Sequence, residues 1–177
     1  MGRNLRRWGV TAVMAAATLV AANGWAQDVV TVPASHAHVR STTPEIAAAV
    51  ERASQESPTF RRLVEMIQQS DSYVYIREGD CGHVARACFV SVTAGGNHRL
   101  MIVSVDARRR DLDLMASIGH ELRHTLEVIA DPAIRDDSAK FFFYERIGFH
   151  TMSGVHETTA AMAAGDSIRS ELRKARR

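Results

Sequence analysis

Gly119-His120-Glu121-Leu122-Arg123-His124 carries a HExxH motif inside a longer helical pattern that runs from Leu112 to Ile129. Residues four apart on a helix lie about 40° apart on one face, one turn removed. His120 and His124 therefore point the same way and match the reach of a single tetrahedral zinc ion. Glu121 follows the first histidine by about 100°, too far round to join as a ligand but well placed to hold a metal-bound water. Zinc lowers the pKa of its water to roughly 7, and an adjacent carboxylate can take that proton and pass it to a leaving amine. Ile118, Leu122, Leu126 and Ile129 recur at three- and four-residue spacing, while His120, His124 and Glu127 form a polar stripe on another face. A buried apolar face and a metal-binding stripe are expected. The competing expectation is a helix whose His-Glu-His face is simply solvated.

Outward from this helix, the ends of the chain carry different information. Arg3, Arg6 and Arg7 precede an uncharged apolar run from Trp8 to Ala22, and Gly24-Trp25-Ala26 offers small residues for cleavage before Gln27. Residues 1–26 thus read as a secretory signal, and the protein as secreted, periplasmic or extracellular in a bacterium. That segment holds three of the 22 basic residues and none of the 20 acidic ones, so the mature chain carries a net charge of −1 rather than +2. No basic stripe interleaved with aromatics is present, which argues against nucleic acid as a partner. No later run approaches the about 18 apolar residues of a membrane span, so no stable membrane insertion is expected once the signal is removed. Cys81 and Cys88 lie seven apart in a chain sent to an oxidising compartment and are expected to form a disulfide. His83 between them lacks the neighbours for a second metal site.

Residues 27–42 mix Pro, Ser, His and Val without period and read as a flexible arm, with His36 and His38 solvated. The domain proper is expected over residues 43–177. Thr43-Pro44 and Ser57-Pro58 each pair a helix cap with a proline at the first helical position, predicting two N-terminal helices. Residues 73–76, 88–93 and 100–105 are rich in strand formers, and Gly95-Gly96-Asn97 reads as a hairpin turn between the last two. The most apolar run, 100–105, should be central, leaving 88–93 as an open edge where an extended peptide could add as a further strand. Asp111 caps the HExxH helix, Asp136-Asp137-Ser138 opens a shorter one ending at Gly148, and a last helix is expected to begin near Glu157. Helices, a short antiparallel three-stranded sheet and more helices make an α+β fold.

At Gly119-His120-Glu121-Leu122-Arg123-His124-Thr125-Leu126-Glu127-Val128 the chain resembles the zincin metallopeptidases. More narrowly, it is similar to small secreted bacterial proteins with a GHELxHxxEV helix and a downstream ETxAA helix, matched here by Glu157-Thr158-Thr159-Ala160-Ala161. The resemblance covers roughly the last half of the mature chain. It implies a small zincin-like domain with a gluzincin-like ligand set, in which His120, His124 and Glu157 hold one zinc ion per chain.

The residues alone leave the third ligand open. Seven residues of helix rise about 10.5 Å, which sets Glu127 far from His120 and favours a supporting role for it. Glu145, on an aromatic-rich helix, is a further alternative, as are His150 and His156. His150, His156 and Tyr144 are candidates for stabilising an oxyanion. The function expected is a zinc-dependent peptidase acting on peptide or protein substrates, with Glu121 as base. The alternative is a zinc-binding scaffold or interaction module that performs no chemistry.

Overall fold

The computed structural model describes residues 38–82, 85–108, 111–151 and 156–177. The expected signal, the arm as far as residue 37, His36 and His83 lie outside the described residues. Val39–Ser41 forms strand β1, followed by helices α1 (Pro44–Glu56) and α2 (Pro58–Gln68). Three longer strands come next, β2 (Ser72–Glu78), β3 (Ala87–Gly95) and β4 (His98–Val105). Helix α3 (Leu112–Ile129) carries the HExxH motif and leads into α4 (Asp137–Ile147). The two-residue strands β5 (Phe149–His150) and β6 (His156–Glu157) precede the final helix α5 (Thr159–Ala175).

Each helix starts on a side chain that accepts a hydrogen bond from an otherwise orphaned backbone N–H. Thr43, Ser57, Asp111, Asp136 and Thr158 accept from Ile46, Phe60, Leu114, Ala139 and Ala161 respectively. The expected caps of the first four helices are thus in place. The fifth corrects an expectation: Glu157 is not in the first turn of the last helix but in β6, one residue ahead of the Thr158 cap.

The sheet differs from the expected antiparallel three-stranded one. Its order is β1-β2-β4-β3, with β1, β2 and β4 parallel and only β3 antiparallel, paired with β4 through the Gly95–Asn97 turn. Gly96 takes φ 58° there, a conformation that suits glycine. Parallel neighbours need a crossover, and the α1–α2 pair supplies it between β1 and β2. Residues 39–41 are therefore a strand rather than part of a loose arm. Val39 is buried and pairs with Val74, burial that a loose arm would forgo. As expected, β4 lies inside the sheet and β3 at its edge.

Val74, Ile76, Met101, Val103 and Val105 are fully buried on one face of the sheet, packed with the helices. The alternating Tyr73, Tyr75, Leu100 and Ile102 are partly exposed on the other face. Helix α3 is the hub of this core, with Ile118 and Leu122 fully buried. Gly119 makes the crowding possible, because a Cβ there would overlap Ile168 Cδ1 on α5 and come within 3.1 Å of the Phe60 ring on α2. The far end of α3 is held by Arg99, only 2% exposed, whose guanidinium donates to the carbonyls of Val128, Ile129 and Asp131 and to the Asp71 carboxylate. No helix among the described residues is long and apolar enough to cross a membrane.

Candidate metal centre

His120 and His124, one turn apart on α3, turn their rings toward β6. His120 Nε2 lies 3.1 Å from Glu157 Oε1, and His124 Nε2 lies 3.8 Å from the same oxygen. One ligand atom from each of these three residues falls within 4.8 Å of the other two. Donors at about 2.0–2.2 Å from a tetrahedral ion lie roughly 3.4 Å apart, so the spacing fits a single cation with little adjustment. His124 Nε2 and Glu157 Oε2 are also buried without a hydrogen bond among the described residues. Unpartnered buried polar atoms are costly, and a cation between them would satisfy both. Two imidazoles and one carboxylate form a donor set that zinc takes in catalytic sites. The residues fit the ion.

Glu127 stands behind the site, not in it. Its Oε2 lies 2.9 Å from His124 Nδ1, and its Oε1 accepts from the Thr158 hydroxyl at 2.7 Å. A carboxylate on Nδ1 fixes the ring and turns Nε2 toward the cleft, the usual backing of a metal-binding histidine. Thr158 thus does two jobs, capping α5 and holding Glu127. Burial alone would lower the His124 pKa, but the Glu127 and Glu157 carboxylates outweigh it and raise the value to about 9. Burial works against Glu157 as well, yet the two imidazoles bring its pKa down to about 2. Without a metal, the Glu127 and Glu157 carboxylates favour a proton on His124, and the two imidazoles favour an ionised Glu157.

Glu121 is 8% exposed, and its Oε2 accepts from the Phe89 N–H of β3 at 2.8 Å. Burial raises its pKa. Its carboxylate and that of Glu157 lie where two clefts meet. One cleft, about 490 Å³, is lined by the Cys81–Cys88 pair, Phe89, Lys140 and Phe141. The other, about 520 Å³, is lined by Arg86, Asp113, Asp166 and Arg169. An elongated molecule crossing the site would meet apolar surface on one side of Glu121 and charge on the other. Cys81 and Cys88 stand at bonding distance, S–S 2.09 Å, as expected from their spacing.

Other candidates fall elsewhere. The Tyr144 hydroxyl donates to the His124 carbonyl at 2.8 Å, so its proton is engaged on the α3 backbone and not offered to an oxyanion. Glu145 does not approach His120 or His124; it pairs instead with His150 and His156, at 3.0 and 2.5 Å. The edge of β3 is less open than expected. The Phe89 N–H is used by Glu121, the Val90 carbonyl by Lys140 and the Val92 N–H by Asp137. Side chains of α3 and α4 thus occupy three main-chain groups that an added strand would need.

Thr158, the Phe89 N–H and Arg99 were not anticipated as supports. Thr158 alone left a signal, a threonine placed ahead of a helical run. No family model, no curated protein and no solved structure matches this chain.

Proposed function

We propose that this chain is a secreted zinc-dependent peptidase in which His120, His124 and Glu157 hold the metal and Glu121 is the general base. The observation that carries the proposal is the approach of three donors of the right chemistry to within 4.8 Å of one another. Bound zinc would supply Lewis acidity, making water a nucleophile near neutral pH and polarising a carbonyl. The chain's own part is positioning and proton transfer. Glu127 and Thr158 orient His124, and Tyr144 steadies the helix turn that bears it. Burial raises the Glu121 pKa, which strengthens its carboxylate as an acceptor and equips it to hand the proton on to a leaving amine. The two clefts beside it give a polypeptide room on either side of the scissile bond.

A second reading has one observation in its favour. The 2.8 Å bond from the Phe89 N–H gives Glu121 a structural task, tying α3 to β3, which a non-catalytic zinc-binding module would also use. Cleavage of a reduced, unfolded polypeptide separates the two. Zinc-loaded wild type should cleave it, and Glu121→Gln should keep its zinc while losing at least about 100-fold in rate. Equal cleavage by both proteins removes Glu121 from the role, and no cleavage by either favours the module.

A further inference from the structure

The arrangement of His120, His124 and Glu157 is repeated on a second set of residues. Glu145 of α4, His150 of β5 and His156 of β6 bring one ligand atom each to within 4.8 Å of the others. Both imidazole Nε2 atoms face the same Glu145 Oε1, at 3.0 and 2.5 Å, as the first pair faces one oxygen of Glu157. The rings are held side by side by the backbone: His150 and His156 are direct cross-strand partners, with centroids 4.2 Å apart. Gly148 brings the β5–β6 ribbon up against α4, since a Cβ there would lie 2.9 Å from the carbonyls of Tyr144 and Glu157. Three separate elements thus deliver three donors to one point.

We propose that Glu145, His150 and His156 form a second zinc site, and that its ion clamps the strand bearing Glu157. Two nitrogen donors out of three favour a borderline ion such as zinc over calcium or magnesium, which prefer all-oxygen shells. The Glu145 side chain is 40% exposed and that of His150 56%, so an ion reaches the site from solvent and water completes its coordination. Strand β6 consists only of His156 and Glu157, and successive strand residues point to opposite faces. One side chain therefore goes to each cluster. Fixing His156 on an ion fixes Glu157, and the two occupancies favour one another. This clamp rests on the first centre holding zinc as proposed above; the second site itself does not.

Zinc titration of the full mature chain after chelator treatment, by calorimetry with elemental analysis, tests both parts. Wild type should bind two equivalents. The double variant Glu145→Gln/His150→Ala should bind one, with affinity at the remaining centre reduced at least about fivefold. His124→Ala should also bind one, and His124→Ala combined with His150→Ala none. Circular dichroism identifies any variant that has failed to fold, and the single variant His150→Ala then substitutes for the double. Wild type and the Glu145/His150 variant taking up zinc in equal number and with equal affinity overturns the second site. Loss of one equivalent with unchanged affinity at the other centre overturns the clamp alone. Should the first centre be the mistaken one, His124→Ala leaves the zinc count unchanged while His150→Ala lowers it.

Discussion

His124 gives one ring nitrogen to Glu127 and turns the other into the cleft, so what happens at Nδ1 decides what Nε2 can do. Replacing Glu127 by Ala removes the group that fixes the ring and leaves the Thr158 hydroxyl without its acceptor. Zinc affinity should fall about 10- to 100-fold, measured by competition with a chromogenic chelator, while the fold survives. An unchanged affinity would reduce Glu127 to a structural acid. The same residues set a pH dependence for the metal-free protein. A raised His124 pKa, from 6.5 to about 9, gives stability that is complete below pH 6.5 and lost as pH rises through 9. The lowered Glu157 pKa, from 4.5 to about 2, gives stability present above pH 4.5 and lost as pH falls through 2. The two shifts overlap in the His124–Glu157 pair and are not additive, though Glu127 is the larger raising influence on His124 and His120 the larger lowering one on Glu157. Thermal melts of chelator-treated protein should therefore peak between about pH 4.5 and 6.5 and decline toward 9. A melting temperature that rises over the alkaline range would contradict the assigned pairing. At this scale the sequence was informative for His120, Glu121 and His124, because helical periodicity puts them on adjoining faces. It was silent on which atom each supporting group would hold. The bonds from Thr158 to Glu127 and from Tyr144 to the His124 carbonyl span 31 and 20 residues of chain.

The elements around the site depend on close approach to α3. Gly119 is enclosed by Ile168 and Phe60, with no space for a methyl group. Gly119→Ala should destabilise the protein by about 1–3 kcal/mol despite the higher helix propensity of alanine, as read from urea unfolding. Ile168→Val, which lacks Cδ1, should recover part of that loss in the double variant. Additive effects of the two changes would place the strain elsewhere. At the other end, Arg99→Met would strip the donors from the carbonyls of Val128, Ile129 and Asp131 and leave Asp71 without its guanidinium partner. A cost of about 1–3 kcal/mol is expected for leaving buried carbonyls without a donor. A loss under about 1 kcal/mol would mean that water replaces the guanidinium. Helices with Ser-Pro, Thr-Pro and Asp starts were legible in the chain because caps act locally. Strand direction was not, since a run such as 73–76 looks the same whether its neighbour is parallel or antiparallel. Val39–Ser41 was missed for a related reason: three residues are too few to establish a period, and only pairing with Val74–Ile76 makes them a strand.

For the whole molecule, a mixed sheet with helices against one face leaves α3, β3, α4 and β6 to surround a cleft onto which Glu121, His124 and Glu157 open. The α+β class was legible from the order of elements, whereas the closing of the β3 edge by Asp137 and Lys140 of α4 was not, because it arises only when the two elements pack. The proposed chemistry depends on His120, His124 and Glu157 sharing a metal ion. Anomalous diffraction at the zinc absorption edge, from crystals of the mature protein grown with zinc, tests it most directly. A peak is expected about 2.0–2.2 Å from His120 Nε2, His124 Nε2 and a Glu157 oxygen, with Glu121 beside it but not bound to it. No peak at that position, or a peak ligated by the histidines with Glu157 turned away, would contradict it.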